Sequence, residues 1–520
     1  MSKEEQNKNL KINLLKDQIN RYNEDLKNKD EQIKILLEEK KIFTDRVNLT
    51  LGYYPCEKAN MVSVSNLLSI INCVKKLRGQ PSNSASPTDI YILDMNSNFL
   101  YEGEHVKTIY MKIFISGMDS NTTTIRPSNS NLDNQMSYEY MVYLSKIKDI
   151  VKLNICPYFV KVLGGNLKVR LFDLATLLYN RLPGNQTNIE IFNRFFRNMN
   201  YVYTYTKDRP SIENPVSPTD LFPDEKLQNS LINADYGFFM TEGTQNTITL
   251  EQYINYNLDQ PIDYFNIILF QLIVACRAMN LAKLAHNDLH HANILVEEVK
   301  GLDKCCFLTN DGKNNKIYAI TTPFRIRIYD FDRGFINGDH PYDNPIAGSL
   351  NRYSMSNNLV QKRDLAKCLS YFFINSKFYR LPGSVLQKDY HPPVYTSQRK
   401  FLENIANVLI KDSKDPFNDL KAFYDESGNF LRKSPTMGRN EDSDFAIFNR
   451  SWDEMLDKAY DLLPSYVKYD LTTRKGELCD DIRDFNVYYM FPQTFDEEGT
   501  IKLRELEKIK YSIIKDVCTK

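Results

Sequence analysis

Three of the six histidines in this chain, His286, His290 and His291, fall within six positions, in the run Ala285-His-Asn-Asp-Leu-His-His-Ala-Asn-Ile-Leu295. The other polar residues of the run matter more: Asp288 and Asn293 stand five apart, between a long apolar stretch and a strand-like one. A second acidic position, Asp330, closes the strand-like run Phe324 to Tyr329 and is followed by Phe331 and Asp332. Phosphoryl transfer from ATP needs a carboxylate to orient the acceptor hydroxyl and hard oxygen ligands for magnesium. Asp288 has the type and placement for the first task, Asn293 and Asp330 for the second. A zinc site built from the histidines and Asp288 is a rival reading, but it lacks a Cys/His framework or a His-Glu-x-x-His helix. A polar loop with an Asn/Asp turn is the plainest alternative.

The elements around these residues would have to position them. The apolar run Tyr264 to Leu284 predicts a buried helix leading into the loop. Strand-like runs Asn293 to Val296 and Phe324 to Tyr329 follow, separated by a polar, Gly-containing segment, 300 to 322. Upstream, a helix-like run Leu67 to Leu77 precedes Gly79, then come strands over Ile90 to Leu93 and Thr108 to Ile115. A helix over Tyr138 to Ile147 and a strand over Tyr158 to Leu163, closing at Gly164 and Gly165, complete a small antiparallel sheet with one helix packed on it. Helical segments Val169 to Leu182 and Ile189 to Met199, then a Pro-containing stretch from Pro210 to Pro223, read as an insertion over about 166–235. A strand over Tyr236 to Met240 resumes the sheet. Beyond the loop the chain reads mainly as helices, including Arg363 to Asn375 and Gln398 to Ile410, with polar loops around 412 to 445.

Composition bounds the remaining classes. The 520 residues hold 66 Lys plus Arg against 66 Asp plus Glu, so net charge gives no argument for a nucleic-acid or membrane partner. The 42% hydrophobic content is that of an ordinary globular protein. The most apolar stretch, Ile267 to Cys276, is too short for a bilayer and contains Gln271, so no membrane span is expected. Nine scattered cysteines, an odd number, and no signal peptide favour a reducing, intracellular compartment. Residues 1–50 carry Ile12, Leu15, Ile19, Tyr22, Leu26, Ile33 and Leu36 at alternating spacings of three and four, with Lys29 in the one missing position, an amphipathic helix and candidate coiled coil. Self-association or a protein partner through residues 10–40 is the expectation drawn from it.

The pair of motifs resembles the protein-kinase-like family. His286-x-Asp288-x-x-x-x-Asn293 is similar to its catalytic loop, and Asp330-Phe331-Asp332 to its metal-binding motif, with Asp where Gly is usual. The wording of both looks most like serine/threonine kinases of nucleocytoplasmic large DNA viruses, the poxviral virion kinase group included, and echoes small-molecule phosphotransferases. The resemblance covers roughly residues 70 to 410. It implies an α+β bilobal fold, with a β-rich N-lobe over about 65–243 and a helical C-lobe with an extension over 244–520. It also implies ATP and Mg2+ (or Mn2+) as cofactors, protein substrates, and a host-cytoplasmic or virion location.

Several roles follow from the resemblance alone. Lys112, in Thr108-Ile-Tyr-Met-Lys-Ile-Phe114, would contact the α- and β-phosphates, with Glu139 as its ion-pair partner. Phe238 to Gly243 looks like the hinge, placing Glu242 and Gly243 at the adenine. His286 and Asp364 would support the catalytic loop, Asp364 by accepting backbone N–H groups. Departures accompany these matches. No G-x-G-x-x-G precedes Lys112, and Asn287 replaces the Arg that senses a phosphorylated activation loop. His290 replaces the usual Lys two positions after the catalytic Asp, so either His290 contacts the transferring phosphate or another residue supplies the charge. About 33 residues separate Asp330 from Asp364 without an Ala-Pro-Glu end, although Pro341 and Gly348 could anchor a peptide platform. A Ser/Thr protein kinase is the expected function; a small-molecule phosphotransferase and a pseudokinase-like binding module are the alternatives.

Overall fold

A computed structural model describes residues 64–80, 88–117, 138–170, 174, 235–336, 359–374, 392–424 and 445–518, apart from short gaps within these spans. All of them fall in one unit, Asn60–Lys520. The expected coiled coil over 1–50, the helix Ile189 to Met199, the Pro-containing stretch after it, and Pro341 and Gly348 lie outside the described residues.

The first lobe is a five-stranded antiparallel sheet. Helix α1 (Val64–Asn72) ends at a turn closed by the Cys73 N–H on the Ile70 carbonyl (3.0 Å), and strand β1 (Val74–Gln80) follows. The expectation of one helix from Leu67 to Leu77 is therefore corrected: Leu77 lies opposite Leu93 in β2 (Thr88–Met95), and cross-strand pairing overrides the helical spacing of the apolar residues. β3 (Thr108–Gly117) is the centre of the sheet, whose order is β1-β2-β3-β5-β4, with β4 at Val162–Arg170 and β5 at Asp235–Gly243. Its alternation splits the side chains cleanly. Ile109, Met111 and Ile113 enter the core with Leu67, Leu77 and Leu93, while Tyr110, Lys112 and Phe114 take the opposite face.

Helix α2 covers 138–152, with a π-helical turn at Tyr143–Ile147 between α-helical segments. The chain then reaches β4 (Val162–Arg170) through a segment tied to the other lobe, since the Ile328 N–H donates to the Tyr158 carbonyl and the Val160 N–H to the Ile328 carbonyl (2.9 and 3.1 Å). The expected strand Tyr158 to Leu163 is thus displaced toward the C-terminus. Gly165 lies within β4 because a Cβ there would stand 2.3 Å from the Phe238 carbonyl of β5 (Asp235–Gly243). β4 runs to Arg170, so the helix expected from Val169 cannot begin there.

The second lobe is built around a buried helix. β6 (Thr247–Thr249) leads into α3 (Leu250–Tyr256), which opens with a reciprocal Thr249–Gln252 capping box. α4 (Ile262–Leu281) follows, apolar on all sides; by length and composition it could cross a membrane, but its residues are largely buried inside the lobe. Gln271 in its middle is satisfied by the chain it packs on, donating to the Phe324 carbonyl (3.1 Å) and accepting from the Ile326 N–H (2.8 Å). The helix stops at Leu281, short of the expected Leu284, which belongs to the short strand β7 (Leu284–Ala285).

Beyond the loop, β8 (Ile294–Asn310) and β9 (Asn315–Ile328) form one long antiparallel hairpin, and β10 (Phe335–Ile336) returns to pair with β7. The segment 300 to 322, expected as a polar separator, is mostly strand. The remaining elements are α5 (Arg363–Ile374), α6 (Pro392–Leu409), α7 (Pro416–Lys421), α8 (Trp452–Asp461), β11 (Lys468–Tyr469), β12 (Asn486–Tyr489) and α9 (Leu503–Cys518), of which β11, β12 and α8 bond directly to this segment. β12 pairs in parallel with β8 and β11 antiparallel with β9, and Phe307 packs between Tyr158, Phe270 and Tyr488. The molecule is thus a two-lobed α+β fold, a β-sheet lobe with one helix and a larger, mainly helical lobe. Cys73, Cys156, Cys276, Cys305, Cys306 and Cys368 form no disulfide.

Candidate functional site

Lys112 projects from the face of β3 opposite the core toward α2. Its ammonium donates to Glu139 Oε2 (2.7 Å) and to Asp330 Oδ1 (3.1 Å). Burial works against charge on Lys112, but Asp330, Glu139 and Asp332 outweigh it and hold its pKa well above the ordinary lysine value. Glu139 is 2% exposed, and burial pushes its pKa up to about 7 despite the Lys112 ion pair. Asp332 is raised well above the carboxylate range by burial and by Asp330 and Glu139 beside it. One ammonium therefore faces three carboxylates.

Asp330 is placed by backbone as much as by side chain. It sits at φ 68, a left-handed conformation that Asp tolerates better than most residues. Its N–H donates to the Tyr143 hydroxyl (3.1 Å) in the π turn of α2. The next residue, Phe331, is fully buried against His286 (4.6 Å between ring centres), Tyr143 (5.5 Å) and Phe159 (6.3 Å). Tyr143 in turn meets Phe239 of β5 (5.7 Å), so a row of rings crosses from one lobe to the other.

The loop after β7 is held from below by α5. Asp364 accepts the His286 N–H on Oδ2 (2.6 Å) and the Asn287 N–H on Oδ1 (2.9 Å). Asn287 has φ 62 and its carbonyl and side-chain oxygen both accept from Arg363 (2.9 and 3.0 Å). The His286 ring carries its hydrogen on Nε2, which donates to the Tyr329 carbonyl (2.9 Å), because Nδ1 accepts the Asp288 N–H (3.3 Å). Asn293 donates from Nδ2 to the Asp288 carbonyl (3.0 Å), and its own carbonyl accepts the Tyr329 N–H (3.2 Å). Asn293 and Asp330 are thereby brought to adjoining strand ends, where β8 and β9 meet.

Asp288 carries two cations that the sequence reading did not foresee. Lys367 of α5 lies 2.5 Å from Oδ1, and Arg333 lies 2.8 Å from Oδ2. Burial would raise the Asp288 pKa, but Lys367, Arg333 and then His290 bring it below the ordinary aspartate value. Lys367 itself is lowered by burial, with Asp288 opposing. His290 stands farther off, with Nε2 3.8 Å from Asp288, and burial lowers its pKa as well. The missed signal was in the sequence: Asp364 and Lys367, three apart on one helix, share a face. Nothing local announced Arg333.

Of the expected site residues, the structure brings Lys112, Glu139 and Asp330 into one group. Asp288, His286, Asn293 and Asp364 form a second, with His290 at its margin, and Asn293 and Tyr329 join the two. Glu242 and Gly243 end β5, opposite Ile109 and Thr108, with the Glu242 N–H already donated to the Lys161 carbonyl (2.8 Å). Among the described residues, no three His, Cys, Asp or Glu side chains form a metal-binding group of their own. The donors still suit a hard cation shared with phosphates: an amide oxygen at Asn293, and at Asp330 a carboxylate oxygen beyond the one bound to Lys112.

No family model matches the chain, and no curated protein does. Among solved structures, a kinase domain solved by crystallography is 11% identical, with a TM-score of 0.27, covering 75% of this chain and 89% of its own. The Rad53 kinase domain with SCD2 is also 11% identical, with a TM-score of 0.27, covering 75% of this chain and 98% of its own. WaaP in complex with acyl carrier protein is 10% identical, with a TM-score of 0.23, covering 64% of this chain and 91% of its own.

Proposed function

We propose that this chain is an ATP-dependent phosphotransferase that acts on serine and threonine hydroxyls of proteins. The observation that carries the reading is the convergence of Lys112, Glu139 and Asp330 beside a separate loop carboxylate, Asp288, whose two preceding residues, His286 and Asn287, are anchored through their N–H groups by Asp364. Lys112, held by Glu139, is placed to bind the α- and β-phosphates. Asn293 and Asp330 would hold Mg2+ or Mn2+, which supplies neutralisation of the phosphate charge. Asp288, kept ionised by the cations around it, orients the acceptor hydroxyl and receives its proton.

The test is transfer from labelled ATP with magnesium or manganese to a protein panel and to the chain itself, beside Asp288→Asn and Asp330→Ala. Label on serine or threonine that disappears in both variants is the expected result. Normal transfer by Asp288→Asn would falsify its assigned role, and label only on sugars or amino alcohols would replace the protein acceptor with a small one.

A further inference from the structure

Phosphoryl transfer places negative charge on the equatorial oxygens of the moving group, and a cation next to the acceptor carboxylate stabilises it. His290 stands at the loop position two after Asp288, but its ring is otherwise engaged. Nδ1 accepts the Ala292 N–H (3.2 Å), capping the short 3-10 turn His291–Asn293. Only Nε2 remains, 3.8 Å from the nearer Asp288 oxygen.

Lys367 is differently placed. It rises from α5 one turn after Asp364, so a single helix face both fixes the loop backbone and reaches the Asp288 side chain. An ammonium has three donors. One goes to Asp288 Oδ1 (2.5 Å), and a long one of 3.4 Å points at the Asn287 carbonyl. Among the described residues the third has no acceptor, which leaves it for an anionic oxygen, and the side chain keeps 24% of its surface open. Arg333 also touches Asp288, but it comes from a turn rather than from a helix.

We propose that Lys367 is the cation that contacts the transferring phosphoryl group, supplied by helix α5 in place of the loop residue His290. The inference rests on the phosphotransferase reading. In the step it serves, the acceptor oxygen bonds to the γ-phosphorus as the bond to the β–γ bridging oxygen breaks. ADP leaves with that electron pair, and the hydroxyl proton passes to Asp288. Lys367 bridges Asp288 and a γ-phosphate oxygen throughout, so it touches the reacting group without exchanging a proton.

The experiment measures ATP binding and steady-state transfer by the full chain and by Lys367→Ala, His290→Ala, Arg333→Ala and the double variant Lys367→Ala/His290→Lys. Lys367→Ala should lose about 10²–10³-fold in kcat with little change in KM for ATP. His290→Ala should lose less than about tenfold. The double variant, which returns an ammonium to the loop, should recover at least about tenfold over Lys367→Ala, a gain that a merely structural lysine would not give. Near-normal kcat in Lys367→Ala, a larger loss in His290→Ala or Arg333→Ala, or no recovery in the double variant overturns the assignment while the phosphotransferase reading stands. A wild-type chain that binds no ATP, or binds it and transfers to nothing, overturns both.

Discussion

The same two strands have opposite characters at their two ends. Where β8 and β9 meet the loop, Asn293 and Asp330 lie among ionisable groups, and Asp330 and Asn287 hold left-handed backbone. Farther along the same hairpin, Phe307, Cys305, Cys306 and Ile320 are wholly buried, the first three paired with β12 and Ile320 with β11. Buried charge and positive φ each cost free energy, whereas apolar burial adds it. The difference teaches that the hairpin is long because its far end anchors a near end that is not built for stability.

Four measurements would break or sharpen that contrast. Phe307→Ala should cost about 3–5 kcal/mol of stability, read by denaturant unfolding, while transfer per folded molecule stays unchanged. If transfer falls in step with stability, the two ends are not separable. Lys112→Met should do the opposite, lowering transfer about 10²–10³-fold, or about 3–4 kcal/mol of barrier, with a smaller shift in the unfolding midpoint. The shift is small because burial already favours protonation of Glu139 and Asp332, which can take up protons once the ammonium is gone. Asp364→Ala sits between the two ends, leaving two buried N–H groups without an acceptor. It should cost about 2–4 kcal/mol and lower transfer as well.

The smallest effect is on pH. Burial raises Glu139 from 4.5 unfolded to about 7 folded, so between those values the folded chain binds the extra proton. Its contribution to stability therefore falls as pH rises through that window and levels off above it. Transfer should run the other way, rising toward pH 7 as the carboxylate forms and pairs with Lys112. Glu139→Gln should remove this part of the stability slope; an unchanged slope in the variant would place the titration elsewhere.

Sequence made parts of this legible and concealed others for identifiable reasons. Asp288 with Asn293, and Asp330 at a strand end, were visible because their spacing is local and their residue types are few. Lys112 and Glu139, 27 positions apart, could be paired only through a family resemblance. Lys367 and Arg333 were missed because their partner, Asp288, lies across a tertiary contact. The split of Leu67 to Leu77 into helix and strand was hidden because an apolar run of that length fits either period until its neighbour is known. The hairpin over 300 to 322 was hidden by Gly301 and its polar residues; its pairing comes from β11 and β12, more than 140 positions downstream.

One contact at the far end of the chain bears on the order in which the molecule is made. Lys146, in the π turn of the helix that carries Glu139, is buried and donates to the Glu498 carbonyl (2.8 Å), 352 residues later. Gly499 beside it, at φ 74, fits so closely against Ala282 that a Cβ would stand 2.2 Å from that residue's carbonyl carbon. During synthesis the sheet lobe is complete long before either contact can form. The helix holding the partner of Lys112 therefore lacks this tie on the ribosome until residue 498 has emerged, and a nascent chain arrested earlier carries Lys112, Glu139, Asp288 and Asp330 without it.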